Sequence, residues 1–429
     1  MPTVSVSGAF RFASATLAVL LAFSPLSAMQ DAPVFRTTTD LIAVDVQVVD
    51  AQGAPLLNLG ADQFEVTINR KRRRVVSVDL LRYDEGLSTA APAPPRADQR
   101  LLSMGEAPGS GRTFMLAVDE TSFRPGDVAA LITTAREFVA RLEPNDQVGL
   151  FAFPQGPQFL PTSDHSAVVS ALQRVSGQRT ALAGGNRYGL TPANVVDLSS
   201  PQAEQRVLYQ RDASSNEVRL MGEICEDVDE ARAQCERNVM TEVRSLAMLY
   251  ESETTQSLGS LREMLAQLGR VPGRKTIVLL SAGILAGDRP GSRPDVDEIG
   301  KYIGQEAART NSTVYSLFVD SRRSEGARPS TSRPARMSDD KARDSLILSQ
   351  SLSEVAATSG GALFTVPQGA GEAAFARVLH ETSAAYLLAV EPDEIDRDGK
   401  PRALSVKVKA GARGTTVRSR SWVVIPPRK

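Results

Sequence analysis

Apolar and polar residues alternate along the part of the chain that begins at residue 34. The stretch 34–82 is rich in Val and Ile at every second position, and Gly53 and a polar turn near Asn69 interrupt it. A period of two residues is typical of half-buried β-strands, because successive side chains of a strand point to opposite faces. We therefore predict an N-terminal module of antiparallel strands.

The pattern changes near residue 112 to short, continuously apolar runs that alternate with stretches of helical spacing. Each apolar run has the length of a strand that is covered on both faces; the runs are 113–119, 147–153, 276–281 and 313–319. Buried strands that alternate with helices predict an α/β fold with a doubly wound, mostly parallel, Rossmann-like sheet. Sheets of this kind place their binding sites at the carboxyl ends of the strands.

Two segments interrupt this predicted α/β domain, which spans 112–384. Residues from about 190 to 268 are polar but favour helices, so they predict a helical insertion. Residues 321–344 contain few apolar side chains and predict a flexible insertion. Strand patterns return over 385–429, and because isolated short sheets are marginally stable, we expect these strands to pack with 34–82 into a β-sandwich-like module.

The remaining segments are predicted to be a signal and a linker. Residues 1–28 contain one Arg, no acidic residue and an apolar stretch that ends at small residues, which is typical of a secretory signal peptide. Residues 83–111 lack periodicity and are rich in Pro, Ala, Gly and Ser. We expect an exported chain, periplasmic or extracellular, with no transmembrane segment after cleavage; an uncleaved anchor is the alternative.

Composition and cysteine content narrow the picture. The 429 residues are 42% hydrophobic, enough for sizeable cores, and the formal net charge of −1 gives no reason to expect a nucleic-acid partner. Cys225 and Cys235 lie in a helix-favouring segment, where one straight helix would hold them about 15 Å apart. A disulfide between them needs an intervening turn, and both a disulfide and a pair of free thiols remain open.

Candidate chemistry lies where the first buried strand ends, at Asp119, followed by Glu120, Thr121, Ser122 and Phe123. Here the chain resembles a von Willebrand factor type A domain, whose first strand typically ends in Asp-x-Ser-x-Ser. The stretch GQRTALAGG is similar to the threonine loop of that family, and RKTIVLLSAG is similar to its fourth strand. The chain most resembles the exported bacterial "VWFA-related" domain proteins of the type abundant in Acidobacteria. This resemblance rests on the order of three stretches: LIAVDVQVVDAQGAPLLNLGADQFEVTINRKRRRVV, GRKTIVLLSAGI and SAAYLLAVEPDEIDRDGKPRALSVKVKAGARGTTVRSRSWVV.

This resemblance implies a magnesium site in which Asp119, Thr121 and Thr180 supply oxygen ligands. Magnesium requires near-octahedral oxygen coordination. Phe123 stands where the resemblance implies a second hydroxyl, and Ala282 stands where it implies a second acidic residue. We therefore expect a degenerate site. Its binding-loop residues would be Asp119, Glu120, Thr121, Ser122 and Thr180, with Asp119 alternatively capping the turn and the helix that follow.

The sequence lacks the motifs of common enzyme classes. It contains no Gly-x-Ser-x-Gly elbow, no Walker-type phosphate loop and no Gly-x-Gly-x-x-Gly after a strand. We therefore expect a non-enzymatic protein-binding module, used in adhesion or interaction, with an unidentified protein partner and no cofactor other than magnesium at a competent site. The alternatives are a structural envelope component without a metal site and, less favoured, a hydrolase that uses the carboxylates of Asp119 and Glu120.

Overall fold

The computed structural model describes residues 39–83, 99–101, 111–179, 186–226, 231–288, 291–295, 297–320, 337–367, 370–409 and 414–427. The predicted signal peptide, most of the predicted linker, Thr180 and most of the predicted insertion 321–344 lie outside the described residues. The strands are β1 (Thr39–Val49), β2 (Phe64–Ile68), β3 (Lys71–Arg82), β4 (Gln99–Leu101), β5 (Thr113–Asp119), β6 (Gln147–Phe153), β7 (Gln158–Thr162), β8 (Lys275–Ser281), β9 (Ser312–Asp320), β10 (Leu363–Pro367), β11 (Ala384–Glu391), β12 (Pro401–Val408), β13 (Thr416–Arg418) and β14 (Trp422–Val424).

The helices in the described part of the chain differ widely in length. They are α1 (Ala129–Ala140), α2 (His165–Leu172), α3 (Pro192–Leu198), α4 (Pro201–Gln205), α5 (Asn216–Glu226), α6 (Arg232–Leu268), α7 (Asp297–Arg309), α8 (Met337–Ser359) and α9 (Glu372–Glu381). None of these described helices combines the length and the apolar character that a membrane crossing requires.

Strands from both ends of the described chain form one eight-stranded sheet. Its order is β13-β1-β11-β3-β2-β12-β14, and β4 pairs with β1. β1 runs antiparallel to β11, with Ile42 opposite Val390. Alternate residues of these strands, including Val44, Val46 and Tyr386, pack into one apolar core, as the two-residue period requires.

The second sheet is mixed. Its order is β10-β9-β8-β5-β6-β7, in which β6, β5, β8, β9 and β10 form one parallel run and β7 pairs antiparallel with β6. The connection 154–157 between β6 and β7 is too short for the crossover that a parallel pair needs, so the chain turns back as an antiparallel edge strand.

These sheets correct the predicted fold class. The expectation of an α/β chain with a doubly wound, mostly parallel, Rossmann-like sheet is wrong, because the larger sheet is an antiparallel half-barrel and the other is mixed, with a single parallel run. The flanking strands also form one sheet instead of a β-sandwich-like pair. The physical reason is that strands on both sides of residues 112–384 satisfy one another's backbone hydrogen bonds directly, as in the β1–β11 and β2–β12 pairs.

The mixed sheet has an apolar core on each face. On one face, Met115 and Ala117 of β5 pack in a cluster with Leu261 and Leu265 of α6. On the other, Phe114 packs with side chains of α1, α2 and α9. Every residue of β5 is buried, so the carboxyl end of this central strand lies inside the protein.

A disulfide connects two helices of the predicted helical insertion. Cys225 lies near the C-terminus of α5, and Cys235 lies in the first turn of α6. Their Sγ atoms are 1.99 Å apart and their Cα atoms are 5.8 Å apart. The cysteines belong to separate helices, so the straight-helix separation of about 15 Å does not apply to them.

Candidate functional site

The site is centred on Asp119, the last residue of β5. Its side chain is 1% exposed, and it is followed by a single 3₁₀ turn, Glu120–Ser122. β5 lies between β6 and β8, so the strand end of Asp119 lies beside Ser281, which ends β8. The register of these parallel strands thus brings together two residues that are distant in sequence.

Three hydroxyl groups donate hydrogen bonds to the Asp119 carboxylate. Thr121 Oγ1 lies 2.6 Å and Ser257 Oγ lies 3.2 Å from Oδ1, and Ser281 Oγ lies 3.0 Å from Oδ2. Burial raises the pKa of Asp119, and the hydrogen bonds from the three hydroxyls oppose that rise. Both carboxylate oxygens therefore have hydrogen-bond partners within the protein.

Ser122 connects the ends of β5 and β8 through its hydroxyl. Its Oγ donates to the backbone oxygen of Asp119 at 2.7 Å and accepts the backbone N–H of Ala282 at 2.8 Å. Ala282, at the position where a second acid was implied, thus contributes a backbone donor to this connection. Ser122 acts as a local brace, because both of its hydrogen bonds go to the backbone.

Glu120 points toward the segment that precedes Thr180. Its Oε1 accepts the backbone N–H of Ser176 at 3.0 Å, and its Oε2 accepts from Gln178 Nε2 at 2.6 Å. Burial raises the pKa of Glu120, the Ser176 N–H opposes this, and the charge of Asp119 adds to it. Glu120 therefore anchors this segment; the meeting of Thr180 with Asp119 stays a prediction, since Thr180 lies outside the described residues.

A small pocket of about 30 Å³ lies beside the Asp119 carboxylate. Its polar wall includes Thr121, Ser257 and Glu253, and its apolar wall includes Ile284 and Leu285 from the loop after β8. A volume of this size holds about two water molecules. The pocket can therefore hold a small polar group but not a large ligand.

Helix α6 contributes residues that the sequence did not reveal as part of the site. Ser257 and Thr254 are buried, at 3% exposure each, and Glu253 is half-buried in the pocket wall. Burial raises the pKa of Glu253, Arg179 opposes this, and the charge of Asp119 adds to it. The sequence does contain a sign of their role. Thr254 and Ser257 are polar residues that lie at helical spacing between Tyr250 and Leu261, on the apolar stripe of α6.

In the described part of the chain, Phe123 and Ala282 stand at two of the positions from which the implied magnesium site would take oxygen ligands. Phe123, at the position of the implied second hydroxyl, is 2% exposed and packs in the apolar core. Within the described part of the chain, no three His, Cys, Asp or Glu side chains form a group that could hold a metal.

No protein-family model and no curated protein match the sequence. Among solved structures, the chain is similar to a conserved hypothetical protein, BatB, from Bacteroides thetaiotaomicron, with 14% identity and a TM-score of 0.28. The match covers 64% of this chain and 98% of that one. This distant likeness does not establish membership of the von Willebrand factor type A family.

Proposed function

We propose that the chain is an exported, non-enzymatic protein-binding module whose site is a degenerate form of the adhesion site of von Willebrand factor type A domains. One observation carries the proposal. Asp119, at the carboxyl end of a central strand, is surrounded by hydroxyl donors beside a pocket, while Phe123 and Ala282 replace two implied ligands. The surviving oxygens fix the shape of a binding surface.

The hydrogen bonding of Asp119 supports a binding role over a hydrolytic one. A nucleophilic hydroxyl needs one base that removes its proton and a third group that orients that base. Three hydroxyls share the single carboxylate of Asp119. That sharing suits a rigid, preorganised surface, because each side chain holds the others in place.

The cysteine pair supports the proposal of export. Disulfides form and persist in oxidising compartments such as the periplasm and the extracellular space. The Cys225–Cys235 disulfide connects two buried side chains of the α5–α6 region. Together with the signal-like residues 1–28, it favours a location outside the cytoplasm.

Capture of partner proteins on the immobilised full chain tests the proposal. Proteins of the producing organism's exported fraction are captured on the wild type, on Asp119→Ala and on Thr121→Arg, which fills the pocket beside the half-buried Thr121. Thr133→Arg, at an exposed position of α1, is the matched control. We expect Thr121→Arg to abolish capture, Thr133→Arg to preserve it, and a chelator to have no effect.

Two outcomes of this experiment contradict the proposal. Capture that is equal on Thr121→Arg and on the wild type would show that the partner binds elsewhere on the chain. Capture that a chelator abolishes and magnesium restores would show a competent metal site instead of a degenerate one.

A further inference from the structure

The pocket beside Asp119 presents hydrogen-bond acceptors formed by two hydroxyl groups. Thr121 Oγ1 and Ser257 Oγ lie 3.3 Å apart, and both are within hydrogen-bond distance of Asp119 Oδ1. Each hydroxyl has one proton, and each of these contacts keeps that proton inside the cluster. The lone pairs that remain can therefore only accept hydrogen bonds from a group in the pocket.

Glu253 adds a carboxylate to the same wall. It is half-buried, and within the described part of the chain its carboxylate makes no hydrogen bond and no salt bridge. Arg179 also lines the pocket and acts on Glu253 through its charge, without an ion pair between the two. The carboxylate oxygens of Glu253 are thus available to accept hydrogen bonds from a cationic donor in the pocket.

The pocket also has an apolar wall. Tyr250, Ile284, Leu285 and Leu348 line it, and each is at most 9% exposed. Such a wall suits the last methylene group beside a charged head, because that methylene packs on apolar surface while the head reaches polar partners. A volume of about 30 Å³ accepts a compact ammonium more readily than a planar guanidinium.

We infer that this pocket binds the side-chain ammonium of a lysine on the protein partner, with Thr121 Oγ1, Ser257 Oγ and the Glu253 carboxylate as its three acceptors. An ammonium group has three N–H donors and no acceptor, which matches this set. The inference rests on the proposed function as a protein-binding module. It also predicts that the degenerate site prefers basic side chains, whereas a site with a bound divalent cation would prefer acidic ones.

Saturation-transfer NMR on the full chain tests this inference with Nα-acetyl-lysine methylamide as the probe. The norleucine analogue, which lacks the ammonium, is the matched ligand control. We expect transfer to the side-chain methylene groups of the lysine probe and none to norleucine at the same concentration. Glu253→Gln should weaken binding of the lysine probe about tenfold, whereas Glu263→Gln, at an exposed position of the same helix, should leave it unchanged.

Equal binding of both probes, or unchanged lysine binding by Glu253→Gln, would overturn the inference. Nα-acetyl-glutamate methylamide serves as a third probe. If it binds better than the lysine probe when magnesium is present, the inference is overturned in favour of a metal site. If the lysine probe fails while partner capture still depends on Thr121, only the lysine inference is lost. If the probe binds while capture ignores Thr121→Arg, the proposal of protein binding at this surface is lost instead.

Discussion

Ser281 Oγ lies 3.0 Å from Asp119 Oδ2 and joins residues that are 162 positions apart. The two residues end adjacent parallel strands, in which Val118 is opposite Leu280. Ser281 Oγ also accepts the backbone N–H of Gly283 at 3.1 Å. One fully buried serine therefore holds the central carboxylate and the start of the loop that carries the apolar wall of the pocket.

Replacement of this serine should destabilise the protein measurably. Ser281→Ala leaves a buried carboxylate oxygen and a backbone N–H without a partner, so we expect the free energy of unfolding to fall by about 1–3 kcal/mol. Urea unfolding followed by circular dichroism measures it. Ser170→Ala removes an exposed hydroxyl that donates to a helix backbone oxygen, and it should change stability by less than about 0.5 kcal/mol. Equal effects of both variants would contradict the role of Ser281.

Local sequence patterns located most strands but not their arrangement. The predicted runs 113–119 and 147–153 coincide with β5 and β6. A pattern reports how a segment is buried and carries no information about which strand lies beside it. The expected packing of the 385–429 strands with 34–82 is seen in the pairing of β1 with β11, but the single antiparallel sheet that it creates and the exposed edge strand β7 were beyond prediction.

In the candidate site, too, the sequence identified residues that are close in sequence and missed those that are distant. Asp119 and Thr121 are two positions apart, so the motif alone identified both and the structure joins them by a hydrogen bond. Ser257 lies 138 positions from Asp119, on a helix within a predicted insertion. No local pattern connects such positions, because only the packing of α6 on the mixed sheet brings them together.

The raised pKa of Glu120 predicts a pH-dependent stability. A carboxyl group whose pKa is higher in the folded than in the unfolded chain binds more protons when folded, so stability falls as pH rises from the unfolded value of 4.5 through the folded value. In Glu120→Gln the free energy of unfolding should therefore fall less steeply with rising pH than in the wild type. Urea unfolding at several pH values between about 4.5 and 7.5 measures the slope. Glu137→Gln, at an exposed position of α1, should keep the wild-type slope; an equal change in both variants would contradict the assignment.

Replacement of Glu381 should reduce stability more than replacement of Glu120. It is fully buried at the end of α9, where Arg377 Nε lies 2.6 Å from Oε1 and Arg418 Nε lies 2.7 Å from Oε2. Arg418 belongs to β13, so the carboxylate connects α9 to the antiparallel sheet. Because Glu381→Gln breaks a buried ion pair and leaves a guanidinium uncompensated, we expect a loss of about 3–5 kcal/mol in urea unfolding.

The matched control for Glu381 lies on the same helix. Glu372 pairs with Arg141 at 2.8 Å, but both side chains are largely exposed. Glu372→Gln should therefore cost less than about 1 kcal/mol. Similar losses for the two variants would show that burial of the Glu381 cluster adds nothing to its stability.

The Cys225–Cys235 disulfide should stabilise the α5–α6 region. For a loop closed by a sequence separation of 10, the chain-entropy model gives about 3 kcal/mol. We expect dithiothreitol to lower the urea midpoint of the wild type. The double variant Cys225→Ser/Cys235→Ser should start from the lower midpoint and show no response to dithiothreitol. A wild-type midpoint that is insensitive to reduction would contradict a stabilising disulfide.

Replacement of two glycines by alanine should change the stability of the protein in opposite directions. A Cβ atom on Gly177 would lie 2.1 Å from the backbone oxygen of Arg124, so Gly177→Ala must push residues 176–179 away from the turn after β5. That displacement would break the Gln178 N–H bond to the Glu120 backbone oxygen, 2.8 Å long, and the matching bond from Arg179 to Phe123. We therefore expect the free energy of unfolding to fall by about 1–3 kcal/mol.

Gly259 is the matched control for Gly177. It lies on an exposed face of α6, and a Cβ atom there would meet nothing within 4 Å. Because alanine has the higher helix propensity, Gly259→Ala should stabilise the protein by about 0.5–1 kcal/mol. Urea unfolding measures both variants. Unchanged stability in Gly177→Ala would show that residues 176–179 are not held against Glu120 and Phe123 as described.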